Sequence, residues 1–178
     1  MKVYSYEEAY EKSLEYFNDD DLAANVFVNK YALRNEKNEL VEKTPKDMNI
    51  RIAKELARIE KNKFKNPLTK EEIFSYLDKY KYLVPQVSIL SGVGDRYRQI
   101  SLSNCYAIPL YDSYAGICTT DRYIASISAR RGGVGFDISN LRPKGTLVKN
   151  SARTTSGAVS FMHRFSNTGK EVGQNNRR

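Results

Sequence analysis

The sequence predicts an α+β to α/β chain in two parts: a helical region over residues 1–83, and strands alternating with helices over residues 84–178. Three observations predict it. Helix-capping signals followed by apolar residues at helical spacing recur through the first part. From Val84 onward, Pro85, Gly92 and Gly94 interrupt that pattern. The segment Arg98–Leu110 then alternates with period two, and a strand, helix, strand, helix order follows.

Each element has its own justification. Ser5 with Glu8 three residues later is a capping box that opens a helix running to about Phe17. Asp20 and Asp21 can cap a second helix carrying Leu22, Val26, Val28 and Ala32. Thr44-Pro45 supplies an N-cap with proline at the first helical position, Asp47 completes the box, and Met48, Ile52, Leu56 and Ile59 follow with helical period. Thr69 and Glu72 form another box before Ile73, Phe74 and Leu77. Beyond Val84, Ile100, Leu102, Tyr106, Ile108 and Leu110 share one strand face, while Gln99, Ser101, Ser103, Cys105 and Ala107 share the other. A solvent-facing row usually carries Lys, Glu or Thr. A row of Ser, Ser and Cys suits a confined, partly polar interior with space for a ligand.

After a turn at Asp112-Ser113, Thr120 is the expected N-cap of a helix reaching Arg130. The run RRGGVGFDISNLRPKG reads as a short glycine-rich strand and a loop. In AVSFMHRFSN, Ala158, Phe161, Met162 and Phe165 fit one helix face. The final KEVGQNNRR carries no capping or docking signal, so the chain is expected to be part of something larger.

Composition narrows the chemistry. The 178 residues hold 29 Lys plus Arg against 21 Asp plus Glu, for a net charge of +8. Cations in the helical part are interleaved with acids and describe solvated helix faces. Between Arg130 and Arg178 the excess is purer, ten cations against Asp137 and Glu171, and suits phosphorylated ligands. Charge alone also admits a nucleic-acid reading, but no motif supports one. With one histidine and two cysteines outside any CxxC pair, no zinc cluster, disulfide scaffold or histidine triad is expected. No apolar run reaches the ~18 residues of a membrane helix, and a soluble, cytoplasmic chain is expected.

Gly132-Gly133-Val134-Gly135 is neither a dinucleotide fingerprint nor a phosphate loop, but Arg130, Arg131, Arg142, Lys144 and Lys149 flank it. Cys105 reads either as a buried small hydrophobe, as single strand cysteines commonly are, or, from its place on the small polar strand face, as a reactive thiol. Asp112 closes that strand, at the end where α/β proteins place ligand contacts. Cys118 reads as structural, and His163 as a partly buried histidine.

Together, QISLSNCYAIPLYDS, SARRGGVGFDISNLRPKG, SARTTSGAVSFMHRFSN and VGQNNRR closely resemble the large catalytic subunit of ribonucleotide reductase, from about Ser5 to Arg178. The resemblance implies a helical N-terminal region followed by the first part of a ten-stranded α/β barrel. It implies that Cys105 is the N-terminal redox cysteine, one of two thiols that reduce the ribose 2′ position and finish as a disulfide. Asn104, Cys105 and Gly133 match substrate-lining positions, with Ser88 joining them. Asp112, Arg142 and Lys149 match the site for a deoxynucleoside triphosphate or ATP effector, and Arg177, within GQNNRR, matches the specificity loop. The implied enzyme is a ribonucleoside-diphosphate reductase of the thioredoxin-disulfide type.

No metal site or cofactor is implied in this segment. The radical source lies elsewhere, in a metal-containing small subunit or adenosylcobalamin. Implied partners are the ribonucleotide, the effector, the C-terminal remainder of the large subunit, a radical-generating small subunit and a second copy in a homodimer, with neither membrane nor nucleic acid. The radical-bearing cysteine and the partner thiol of Cys105 lie later in the family, so activity is expected only with the remainder. The other reading is a non-catalytic fragment for effector binding or assembly.

Overall fold

The structure, a computed structural model, describes residues 2–173. It comprises seven α-helices and two short strands among the described residues, divided between two compact units, residues 1–102 and 103–178.

The first unit is built mainly of helices, with isolated antiparallel bridges joining Tyr4 and Arg34 to Leu40. Helix α1 spans Tyr6–Tyr16, and the Ser5 hydroxyl accepts from the Glu8 N–H. Helix α2, Asp21–Val26, is capped by the Asp20 carboxylate and runs into a π-helical turn at Phe27–Tyr31 that buries Phe27 and Val28. Helix α3, Pro45–Lys63, and helix α4, Lys70–Leu77, each begin with a complete capping box, Thr44/Asp47 and Thr69/Glu72. Hydrogen bonds from Thr69 hold the Glu72 carboxyl below its usual range. Met48, Ile52 and Ala53 on α3 pack with Ile73 and Leu77 on α4 around one core.

Two polar devices fasten this unit. Glu42, buried, accepts from the Leu33 N–H at 2.9 Å and from Arg51 Nε at 2.6 Å. Arg51 in turn donates to the carbonyls of Leu90 and Val93. The ion pair therefore ties α3 to the end of helix α5, Val87–Gly92. Removing one member would strand a buried charge, a change that costs about 3–5 kcal/mol. The second device is Tyr16. Its hydroxyl donates to Asp78 Oδ1 at 3.2 Å and accepts from the Lys79 N–H at 2.9 Å, and Lys79 Nζ stands 4.0 Å over its ring. Lys79 and Tyr80 both have positive φ, 56° and 54°, so Tyr16 secures a strained exit from α4.

The second unit is a strand–helix–strand–helix array. Strand β1, Cys105–Ala107, pairs in parallel with β2, Gly133–Gly135, across helix α6, Tyr114–Ser128; helix α7, Ala158–Val172, follows. Leu110, Ile117, Ile124, Leu141 and Phe165 form its core, with Phe136 edge-on to Phe165 at 4.9 Å between ring centroids. On α6, Asp121 accepts from Arg164 Nε at 3.0 Å and Thr168 Oγ1 at 2.6 Å, joining α6 to α7.

Several expectations need correction. The strand expected over Arg98–Leu110 is only three residues long, because β2, its sole ladder partner among the described residues, ends at Gly135. Ile100 and Leu102 instead pack toward Gly92 at the end of α5, a helix the interruptions at Pro85 and Gly92 concealed. Helix α6 begins a full turn and more before Thr120, with Ser113 as its N-cap accepting from the Gly116 N–H at 3.0 Å. Thr120 is buried within the helix and donates to the carbonyls of Pro109 and Gly116. Cys118 is exposed, since the buried stripe runs through Ile117, Thr120, Ile124 and Ser128 and leaves it one step round. His163 and Met162 also face outward, because Ala158, Phe161 and Phe165 are the apolar residues of α7 that turn toward the core.

Candidate functional site: a cysteine on a bare strand face

From Asn104 to Leu110 the burial alternates, with even positions inward and odd positions outward. Tyr106, Ile108 and Leu110 turn toward the core, leaving Cys105 and Ala107 exposed. Parallel pairing sets Cys105 opposite Gly133 and Ala107 opposite Gly135. Paired residues project from the same sheet face, so the strand position beside the thiol carries no side chain. The Asn104 carbonyl accepts from the Gly133 N–H at 2.7 Å, which locks this register. A face made of Cys, Ala, Gly and Gly leaves the sulfur accessible and the backbone open to close approach by a ligand.

The preceding glycine has a different task. A Cβ on Gly132 would lie 2.4 Å from Ile127 Cγ2 and 2.8 Å from the Tyr106 ring, so only glycine lets the chain turn from α6 into β2 there.

Asp112 and Arg142, 30 residues apart, meet at one end of the sheet, where Arg142 Nε donates to Asp112 Oδ2 at 2.5 Å. Arg142 also reaches the Leu147 carbonyl at 3.4 Å. Residues 146–155 fold back on themselves, with Val148 N–H donating to the Arg153 carbonyl and Thr155 N–H to the Thr146 carbonyl. Lys149 is exposed on this excursion. Its base is pinned by Gly157, at φ +85°, where an added Cβ would meet the Lys144 backbone at 2.6 Å. Nearby, hydrogen bonds from the Ser139 hydroxyl and N–H hold the Asp137 carboxyl below its usual range.

The structure thus brings Cys105, Asn104 and Gly133 together, and separately Asp112 with Arg142. Ser88 is buried inside the first unit at the start of α5. Arg177 lies outside the described residues. Sequence reasoning missed the anchoring residues Gly157 and Asp121. For Asp121 the available signal was Arg164 and Thr168, two donors four residues apart on one helix face. No group of three or more His, Cys, Asp or Glu that could hold a metal occurs among the described residues, and none of their helices is long and apolar enough to cross a membrane.

A mainly helical unit followed by a parallel strand–helix–strand unit, with a cysteine on a bare strand face, defines the class: residues 17–96 match the family model of the ribonucleotide reductase all-alpha domain, and residues 103–178 match that of its barrel domain. Between them the matches cover most of the chain, which belongs to the ribonucleotide reductase large-subunit family. Among particular proteins, it is similar to the vitamin B12-dependent ribonucleoside-diphosphate reductase of Thermoplasma acidophilum, 37% identical over 61% of this chain and 13% of that protein. It is also similar to the ribonucleoside-diphosphate reductase subunit alpha of Chlamydia trachomatis, 28% identical over 76% of this chain and 12% of that protein. Against large chain 2 of the Saccharomyces cerevisiae enzyme, identity is 35% over 41% of this chain and 8% of the relative. The chain thus spans 8–13% of the length of these relatives and corresponds to an N-terminal segment of the large subunit.

Proposed function

We propose that this chain supplies the N-terminal catalytic cysteine and part of the effector site of a ribonucleoside-diphosphate reductase, working with the remainder of the large subunit. One observation carries the reading: Cys105 is exposed on a strand face whose paired position is Gly133.

The chemistry balances with two thiols. The ribose 2′-hydroxyl departs as water, hydrogen replaces it on carbon, and Cys105 with a second cysteine passes from two thiols to one disulfide, delivering two electrons and two protons. The second cysteine belongs to the remainder of the large subunit. A dithiol reductant of the thioredoxin class would then restore both thiols by exchange. A radical source, metal-containing or cobalamin-based, would supply the radical chemistry to the radical-bearing cysteine of the remainder of the large subunit. Within this chain, Asn104 and Gly133, whose backbones pair with each other, fix the bare strand position beside the sulfur that the ribose would approach. Asp112 would accept from a deoxynucleotide's sugar hydroxyl, while Arg142, Lys149 and Arg177 would pair with its phosphates. Dimerisation and a cytoplasmic location accompany the reading.

The test mixes this chain with the remainder of the large subunit, a radical source, a ribonucleoside diphosphate and a dithiol reductant. Deoxynucleotide formation is expected, and Cys105→Ser should lower it at least a thousandfold while Cys118→Ser leaves it unchanged. Turnover surviving in Cys105→Ser removes the assignment. Effector binding without turnover in the complete mixture would favour the non-catalytic fragment.

A further inference from the structure

The first unit holds a cleft unrelated to Cys105. It has a volume of about 770 Å³ and lies between α3, the 33–42 segment and the turn at 94–97. Tyr4, Leu33, Val41, Ile50 and Tyr97 give it an aromatic and aliphatic lining. A cleft of this size suits a small organic ligand, and charged side chains make up most of the rest of its wall.

The charges on its wall are unevenly committed. Glu42 is spent on Arg51 and the Leu33 N–H. Asp47 accepts from Thr44 and the Lys43 N–H as a helix cap. Asp95, with its side chain fully buried, accepts from the N–H groups of Tyr97 and Arg98 and from the Arg98 guanidinium. Glu55 is taken by Arg58 at 2.6 Å. Every acid on the wall therefore has its cation or its N–H donors. Among the described residues, Lys54 and Arg96 have no hydrogen bond or ion pair, although Arg96 is close enough to help hold the Glu55 carboxyl below its usual range. The turn carrying Arg96 is held by the buried Asp95, so the guanidinium is presented on a fixed support.

We propose that this cleft binds a small organic anion, a phosphate monoester with an aromatic body: Lys54 and Arg96 pair with the phosphate, and Tyr4, Tyr97 and Ile50 take the ring. Glu42, Glu55 and Asp95 are each paired with an arginine and Asp47 is held by the N–H groups of Lys43 and Thr44, so Lys54 and Arg96 are the wall cations left to meet the phosphate, and the guanidinium fits phosphate oxygens in its own plane. The apolar lining discriminates against bare phosphate.

The test titrates phenyl phosphate into the full chain while methyl resonances of Ile50 and Val41 are followed by NMR. Saturable shifts are expected, with affinity at least tenfold above that of inorganic phosphate and of phenol. The double variant K54Q/R96Q should weaken binding at least tenfold. K61Q/K63Q, an equal charge change on exposed residues of α3 outside the cleft, should not alter it. Absence of shifts, equal affinity for phenol, or equal losses in the two double variants would each overturn the proposal. Asp112 and Arg142 variants are expected to leave these shifts intact, which separates this site from the effector site.

Discussion

At the scale of single residues, the informative contacts join positions far apart in sequence. Asp112 and Arg142 are partly exposed, so their mutual attraction contributes at most about 1 kcal/mol to stability. In the proposed effector site they would prearrange a carboxylate and a guanidinium for a ligand bearing both hydroxyl and phosphate. In the assembled protein, Asp112→Ala should weaken deoxynucleoside triphosphate binding about tenfold, the ~1.4 kcal/mol of one lost charge-assisted hydrogen bond. Calorimetric titration checks this, and unchanged affinity would discard Asp112 as an effector contact. Tyr16 offers a pH signature. Burial, first, and then the nearby Asp78 raise its hydroxyl pKa from 10.0 to about 12. A raised folded pKa means that stability is fully present below pH 10 and declines as pH rises toward 12. Denaturant titrations across that window should show the decline in the natural protein and a flatter profile in Tyr16→Phe. Identical slopes would show that Tyr16 is not the group responsible.

At the scale of elements, boundaries follow local chemistry where a side chain caps the backbone and tertiary demands where none does. Helices α3 and α4 begin at Pro45 and Lys70, as their boxes dictate. Helix α7 instead begins after Gly157, which has no capping side chain and is held by φ +85° and by close approach to the Lys144 backbone. Gly157→Ala should therefore destabilise the second unit by about 1–3 kcal/mol, from strain and the clash together. Thermal unfolding measures the loss. A change under about 0.5 kcal/mol would mean that the 144–157 excursion shifts freely and is not pinned there. Strand β1 shows the opposite case. Its period-two pattern was legible over thirteen residues, but hydrogen bonding to β2 extends it over only three. A strand exists only as far as its neighbour does.

For the molecule as a whole, the chain divides into two units with separate cores. The sheet of the second unit has two strands, β1 and β2, among the described residues. A pair this short is marginal alone and draws its stability from the helices against it, and further strands would extend it through unpaired backbone groups. Reconstitution with the remainder of the large subunit therefore tests the architecture as well as the chemistry. The Cys105→Ser and Cys118→Ser comparison reads that outcome at the level of turnover.

What the amino-acid sequence determined by itself was whatever short-range chemistry encodes. Thr44/Asp47 and Thr69/Glu72 set two helix starts, the alternation read over Arg98–Leu110 put Cys105 on the face opposite Tyr106, Ile108 and Leu110, and SNC with RRGGVGF carried the family. These features depend on spacings of two to four residues, and such spacings survive in a linear text. Only the tertiary structure decided that Cys105 lies opposite Gly133, that Asp112 meets Arg142, that Cys118 and His163 face solvent, and that committed acids leave Lys54 and Arg96 unengaged beside a cleft. Each of those outcomes depends on which distant segment becomes a neighbour, and packing settles that, not local propensity.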